Sequence, residues 1–342
     1  MMVLTATEVQ APQQVGEPLL SVRELYTYFS TPRGVLRAVD GVSFDLFPGE
    51  TFGIVGESGC GKSVTCRSLI GLLPAAHTAR IGEVFYEGRN LLNLSPAAMQ
   101  KVRGAAISMI FQDPMTSLNP VMRIGDQIEE ALKAHTSLGR ADRRQTVIEL
   151  LRTVRIPLPE RRLHDYPHQF SGGMRQRVLI AIALACKPKI LLADEPTTAL
   201  DVTIQDQILS LLLSLQREFR MSVILVSHDL GVIAGTCNRV AVMYAGQIVE
   251  LADAATLLTR PRHPYTLGLL RSLPGRDTGS RYLTPIPGAP PDLVDPPQGC
   301  RFFARCPLRS DACRTWNTEL LPVGPQHVSR CIHHDQVEEI GD

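Results

Sequence analysis

Three groups of residues in this chain have the types and spacing that chemistry needs. The first, Gly56-Glu57-Ser58-Gly59-Cys60-Gly61-Lys62-Ser63, fits G-x-x-x-x-G-K-[ST]. In such a loop bare backbone N–H groups curl around phosphates, a lysine neutralises their charge and a hydroxyl can ligate Mg²⁺. The second, Ile190-Leu191-Leu192-Ala193-Asp194-Glu195, presents two acids after four apolar residues. Asp194 would hold Mg²⁺, mainly through water, and Glu195 would act as general base on an attacking water. The third gathers four of the eight cysteines, Cys300, Cys306, Cys313 and Cys331, near the end of the chain with the spacing C-x5-C-x6-C-x17-C. That spacing is neither the paired C-x2-C of a zinc ribbon nor the common bacterial ferredoxin run. Soft thiolates in a loop-rich segment with little core of its own favour a metal staple, [4Fe–4S] or else zinc, with unligated thiols as the remaining alternative.

The elements that must position these groups can be read around them. Thr51 to Val55 is a short apolar run, and a helical pattern from Lys62 to Leu73 follows the glycine loop, so the motif sits between strand and helix. Before it, Leu19 to Phe29 and Leu36 to Phe47 have the β-rich, partly alternating character of paired strands. After it, Gly82 to Tyr86 and Ala106 to Phe111 read as strands, and Asp113 to Pro167 as a helical insert with charge-rich breaks. Strand-like Ile190 to Ala193 and Ser222 to Val226 enclose a helix over Thr203 to Glu218, an alternation that implies a mostly parallel sheet. Ala245-Gly246 reads as a hairpin turn between Arg239 to Tyr244 and Gln247 to Leu251. Six prolines between Pro285 and Pro297 then mark a loop-rich unit.

Composition narrows the function classes. With 44% hydrophobic and 20% charged residues over 342, the chain has enough apolar content to bury a core, which argues against a largely disordered protein. Its 35 Lys+Arg against 34 Asp+Glu leave no overall basic field for sequence-independent nucleic-acid binding. No apolar run is long enough for a membrane helix, and the first 18 residues lack the features of a secretory signal, so they read as a flexible tail of a cytoplasmic protein. The scattered Cys60, Cys66, Cys186 and Cys237 are expected to be small buried fillers.

Phe170-Ser171-Gly172-Gly173-Met174-Arg175-Gln176-Arg177 resembles the signature motif of ABC-type ATPases, with Phe170 and Met174 in place of the commoner Leu and Gln. The other marks of that family follow in order: Gln112 after Ile110-Phe111 resembles the Q-loop glutamine, Ala199-Leu200-Asp201 the D-loop, and His228 the switch histidine. The resemblance implies an α/β fold, a P-loop ABC-type ATPase core with a RecA-like mostly parallel sheet plus an antiparallel β subdomain. It also implies a helical subdomain insert and a small loop-rich C-terminal extension that carries the cysteines. In residue numbers this predicts a tail at 1–18 and the first segment of the RecA-like core, with the β subdomain, at 19–112. The helical subdomain with the signature occupies 113–177, the second segment of the core 178–255 and the extension 256–342. The cofactors it implies are ATP and Mg²⁺. Residues 56–64, through Val64, would bind the nucleotide's phosphates, and Ser63, Gln112 and Asp194 the Mg²⁺. Tyr28 or Phe29, with Phe29 favoured, would lie under the adenine. Ser171, Gly172, Gly173 and Asp201 would address the nucleotide shared with a partner subunit, whereas His228 would donate to the γ-phosphate. Glu195, His228 and Gln112 are the catalytic candidates.

Three further segments resemble the dipeptide/oligopeptide and nickel importer ATPases, most of all the D-type peptide-importer subunit: Gln112 through Pro120, the signature, and His263-Pro264-Tyr265-Thr266 with Ser272-Leu273-Pro274. The resemblance implies ATP hydrolysis that drives peptide uptake from the cytoplasmic face of the membrane. The expected partners are a second ABC ATPase in a heterodimer, two permease subunits and, indirectly, an extracytoplasmic peptide-binding protein. In that family the cysteine segment implies a [4Fe–4S] cluster, with zinc as the alternative. Import of nickel or another small solute, or a soluble ABC ATPase acting on nucleic acid or ribosomes, are the alternative readings.

Overall fold

The computed structural model describes residues 16–198, 200–273, 285–316 and 319–337. Most of the expected tail (residues 1–15), Ala199 of the D-loop-like triplet, Pro274, and residues 275–284, 317–318 and 338–342 of the expected extension lie outside the described residues. Two compact units result, one from the residues up to Leu92 and from Ser227 onward, the other from Asn93–Val226.

In the first unit an antiparallel sheet has the order Gly34–Leu46, Leu20–Thr31, Thr78–Tyr86, Arg89–Asn90. Its register is fixed by apolar triplets on one face. Val22 lies between Phe44 and Val84, and Leu20 between Leu46 and Tyr86, all of them buried. A one-residue slip would turn each of these side chains to the opposite face, so the alternation seen in the sequence specifies the pairing. A second run of strands has the order Leu321–Gly324, His327–Ser329, Gln247–Asp253, Arg239–Tyr244, Thr51–Val55. Only its last pair is parallel, with Phe52 opposite Arg239 and Val55 opposite Val242. The expected hairpin is present. Tyr244 pairs with Gln247 across Ala245 (φ 47°) and Gly246 (φ 85°), both in the left-handed conformation that a two-residue turn demands.

Two strands depart from the loop-rich expectation for the extension. Leu321–Gly324 and His327–Ser329 form a hairpin whose Ser329 pairs with Glu250. His327 and Glu250, both buried, hold the join with an Nε2 to Oε1 contact of 2.8 Å. Strands of three or four residues carry too little alternation to be seen against a proline-rich background.

The strand entering the glycine loop is braced at its base. Glu50, 1% exposed, receives Arg239 Nε at 2.7 Å and Nη2 at 3.2 Å, and the guanidinium lies over the rings of Phe47 and Phe52. A buried ion pair of this kind stabilises only when its geometry is two-pronged and its remaining donors are satisfied. Here Asp45 O accepts a further bond from Nη2.

In the second unit Ile107–Ile110, Ile190–Asp194 and Ser222–Ser227 are parallel, with Ala193 between Ile110 and Leu225. Every residue of Ile190–Asp194 is buried, as a continuous apolar run in a parallel sheet requires. The helical expectation for 113–167 is met by Pro114–Ser117, Ile124–His135, Arg140–Thr153 and Pro159–Arg162. The helices Gly172–Leu184 and Val202–Phe219 follow, each with its N-terminus capped by the side chain before it, Ser171 and Asp201.

Candidate active site

Five consecutive buried residues, Thr51–Val55, end at Gly56 and deliver the chain into the loop, and the helix Lys62–Leu69 leaves it. Two of the glycines are required by space. A Cβ on Gly56 would lie 2.1 Å from Met243 O, and one on Gly61, whose φ is 106°, 2.2 Å from Ala38 O. Lys62 is 4% exposed, and its ammonium donates to Gly56 O at 2.7 Å and Glu57 O at 2.9 Å. The charge thus sits at the loop's own backbone, where a phosphate cradle needs it. Its Nζ also lies 3.8 Å from Cys60 Sγ; burial pushes that thiol up, with the Lys62 charge opposing the shift. Ser63 and Val64 occupy the first helical turn, half-buried.

Glu57, placed among the nucleotide-binding residues by the sequence, turns its carboxylate elsewhere. Arg305 donates to it twice, Nη1 to Oε2 at 2.7 Å and Nη2 to Oε1 at 2.9 Å, and the Glu57 N–H donates to the Tyr265 hydroxyl at 2.8 Å. Neither Arg305 nor Tyr265 was singled out by motif chemistry. Tyr265 lies in the His263-Pro264-Tyr265-Thr266 segment that resembles the importers, whereas a lone arginine between Phe302 and Cys306 gives no signal.

Tyr28 and Phe29 lie on the strand Leu20–Thr31, before the turn at Thr31↔Gly34. The Tyr28 hydroxyl is bonded to Asp40, which also pairs with Arg301, and burial pushes this phenol up. Phe29, half-buried and opposite Leu36 and Thr78, has no such tie. His228 is exposed where the strand Ser222–Ser227 ends, and Asp229 caps the following helix Leu230–Thr236 through Gly231 N at 2.8 Å.

In the second unit Asp194 is fully buried at the end of its strand, and Glu195 follows with a φ of 48°. A non-glycine residue in this region costs about 1–3 kcal/mol and marks a functional constraint more often than chance does. The Glu195 N–H donates to Val226 O at 3.1 Å. Its carboxylate is held by two donors on the same oxygen, Gln112 Nε2 at 2.9 Å and Thr198 Oγ1 at 2.9 Å. The structure thus brings Gln112 to Glu195 across 83 residues of sequence and adds Thr198, which no motif in the sequence marks. Ser171, Gly172 and Asp201 are exposed at two helix N-termini; the Ser171 hydroxyl accepts from Met174 N at 3.4 Å and Asp201 from Ile204 N at 3.0 Å. Gly173 is tight against the neighbouring helix, since a Cβ there would lie 2.7 Å from the Ile204 methyl.

All four extension cysteines are free, and Cys300, Cys306, Cys313, Cys331 and Trp316 line one small enclosed cavity. Burial pushes Cys306 up to about 11 and Cys331 up to about 12, and raises Cys300 as well. The buried Trp316 Nε1 has no hydrogen-bond partner among the described residues. Nevertheless no group of three or more His, Cys, Asp or Glu among the described residues is arranged to hold a metal ion, so the expected iron–sulfur or zinc centre has no ready-made ligand cage. Of the other four cysteines Cys60, Cys66 and Cys237 are buried as expected, while Cys186 is partly exposed. No helix among the described residues is long and apolar enough to cross a membrane.

Comparison with known proteins agrees with this geometry. Residues 39–198 match the family described as ABC transporter, and residues 249–313 the family described as oligopeptide/dipeptide transporter, C-terminal region. The chain is 55% identical to the dipeptide transport ATP-binding protein DppD of Bacillus subtilis, over 94% of this chain and 97% of that one. It is 48% identical to the oligopeptide transport ATP-binding protein OppD of Escherichia coli, over 92% and 93%. Among solved structures, the dimeric post-hydrolysis ATP-binding cassette MJ0796 bound to ADP and Pi superposes with a TM-score of 0.61 at 28% identity, covering 69% of this chain and 98% of that one. A glycine-lysine loop on a buried strand, a hydrogen-bonded glutamate at the end of another and a C-terminal extension of the peptide-transporter type converge on one conclusion: the chain belongs to the ATP-binding subunits of the dipeptide and oligopeptide ABC transporters.

Proposed function

We propose that this chain hydrolyses ATP to energise the uptake of di- and oligopeptides through separate permease subunits. The observation that carries the chemistry is Glu195, held at a positive φ with one carboxylate oxygen fixed by Gln112 and Thr198. A carboxylate fixed in this way is positioned to take a proton from water, the role of a general base. Gly56 through Val64 cradle the phosphates, with the Lys62 charge already at the loop backbone. Asp194, Ser63 and Gln112 are the residues that would hold Mg²⁺, which neutralises charge on the β- and γ-phosphates when bound. His228 donates to the γ-phosphate, Phe29 rather than Tyr28 stacks on adenine, and Ser171, Gly172, Gly173 and Asp201 serve the nucleotide of a second ATPase subunit.

The same reading assigns residues 19–112 and 178–255 to the ATPase core, 113–177 to the helical subdomain and 256–342 to the extension. It places the protein peripherally on the cytoplasmic face of the membrane, with a different ABC ATPase, two permeases and an extracytoplasmic peptide-binding protein as partners. Hydrolysis is tested by Glu195→Gln in the assembled transporter. ATP binding should persist while turnover falls about 10²-fold or more. Wild-type turnover in this variant would refute the role of Glu195, and ATP hydrolysis without peptide uptake would refute the transport reading.

A [4Fe–4S] cluster on Cys300, Cys306, Cys313 and Cys331 belongs to the same proposal. Its support is that four free thiols line one cavity with a buried indole N–H that has no partner among the described residues. Loading would draw the thiols together as thiolates and release their protons. Anaerobically purified protein should carry about four irons per chain. Zinc alone would establish the alternative, and neither metal would leave the four as packing thiols.

A further inference from the structure

We propose that Arg305 is a positioning residue for the phosphate loop, through which the C-terminal extension sets how tightly the chain holds ATP. The inference rests on the reading of Gly56–Ser63 as the phosphate site and adds a residue outside every nucleotide motif.

Glu57 is the second residue of the loop, and it is anchored twice by the extension side of the same unit. Arg305 grips its carboxylate with a two-pronged fork, and the Tyr265 hydroxyl accepts its backbone N–H. The carbonyl of Glu57 in turn accepts from the Lys62 ammonium at 2.9 Å. A continuous set of bonds therefore runs from Arg305 through Glu57 to the lysine that must meet phosphate.

The fork itself has little freedom. The Arg305 side chain is 4% exposed, against 29% for Glu57. Its Nε donates to Pro287 O at 2.8 Å, its Nη1 also reaches the Tyr244 hydroxyl at 3.3 Å, and its Nη2 reaches Ile286 O at 3.3 Å. With the two bonds to Glu57, all the N–H groups of the guanidinium have acceptors, and the plane lies over Tyr244 and Phe302. Tyr265 is fully buried and packs its ring on Tyr244 at 4.6 Å and on Phe302 at 5.4 Å. Both anchors thus stand on one aromatic cluster.

An arginine that only fastened the extension would need any nearby acid. This one uses an acid inside the phosphate loop, at the residue whose carbonyl orients Lys62. Fixing that residue before nucleotide arrives spares ATP the ordering of the loop, so affinity rises without any contact between Arg305 and the ligand.

The test measures MgATP binding to the full chain by calorimetry for wild type, Arg305→Met, Glu57→Gln, the double variant and Arg305→Lys. Arg305→Met should raise the Kd about tenfold, within the range of ordinary site-to-site coupling. Glu57→Gln should do much the same and the double variant no more, because both act through one interaction. Arg305→Lys keeps charge but loses the fork and should fall between. In the assembled transporter the change should appear in KM rather than kcat. A folded Arg305→Met variant with the wild-type Kd would overturn the proposal. Should that variant fail to fold, an unchanged Kd in Arg305→Lys overturns it equally. Failure of the wild-type chain to bind MgATP would instead strike the phosphate-site reading itself.

Discussion

The phosphate loop of the first unit and the two helix N-termini of the second treat their motif residues in opposite ways. In the first, the phosphate loop is locked: Lys62 is buried on two loop carbonyls, Glu57 is gripped by Arg305 and Tyr265, and the entering strand is braced by Glu50 and Arg239. In the second, Ser171, Gly172 and Asp201 stand exposed at helix N-termini, with one side-chain bond each from Ser171 and Asp201 to the helix they begin. A site that binds its own phosphate gains from rigidity, since the donors are then aimed before the ligand arrives. On the proposed reading the second surface meets the nucleotide of another subunit, and it would have to stay open to solvent until that subunit docks. The contrast divides the effects of mutation into two kinds, loss of fold and loss of function with the fold intact.

The largest effect on stability should come from the brace. Glu50→Ala leaves Arg239 with a buried, uncompensated charge beneath the phosphate loop, and truncating one member of such a pair costs about 3–5 kcal/mol. Chemical denaturation of the full chain measures it, and a cost below about 1 kcal/mol would mean that the locked half is not locked by this pair. Ser171→Ala should behave in the opposite manner. Losing a long, exposed cap bond costs about 1 kcal/mol or less, whereas ATPase turnover in the assembled transporter should fall by about tenfold or more. Equal losses of stability and turnover would erase the distinction between the two regions.

Much of this was legible in the sequence because the relevant signals are local. Thr51-Phe52-Gly53-Ile54-Val55 before a glycine loop, and Ile190 through Glu195, state both the strand and the polar residues at its end. Ala245-Gly246 announced its hairpin because two left-handed residues in a row admit few sequences. What was not legible depends on contacts across long separations. Arg305 reaches Glu57 over 248 residues, and no periodicity marks either partner. Thr198 supports Glu195 from three residues away, yet a threonine in a turn has many commoner roles. The strands Leu321–Gly324 and His327–Ser329 exist because Gln247–Asp253 offers an edge to pair with, a fact that their own few residues do not contain.

The last effect reads the contrast through pH. His263 caps the helix Pro264–Arg271 through its Nδ1, which accepts from Tyr265 N at 3.1 Å, and it is 1% exposed. Burial, with the Arg330 charge adding to it, lowers its pKa to about 3. In the unfolded chain the same imidazole takes up a proton near its ordinary value of about 6.5. Between these two values the unfolded state binds the extra proton, so the contribution of His263 to stability is complete above about 6.5 and is lost as pH falls through that value toward 3. Going from pH 7 to pH 5 should cost about 2 kcal/mol from this residue alone. Carboxylates elsewhere add their own acid dependence, so the quantity to measure is the difference between wild type and His263→Gln, whose amide oxygen can still accept from Tyr265 N. The variant should lose about 2 kcal/mol less than wild type over that interval. Parallel pH profiles would show that His263 takes up its proton in the folded protein as readily as in the unfolded chain, and the anchor of Tyr265, and with it the Glu57 N–H, would then be wetter and looser than its burial implies.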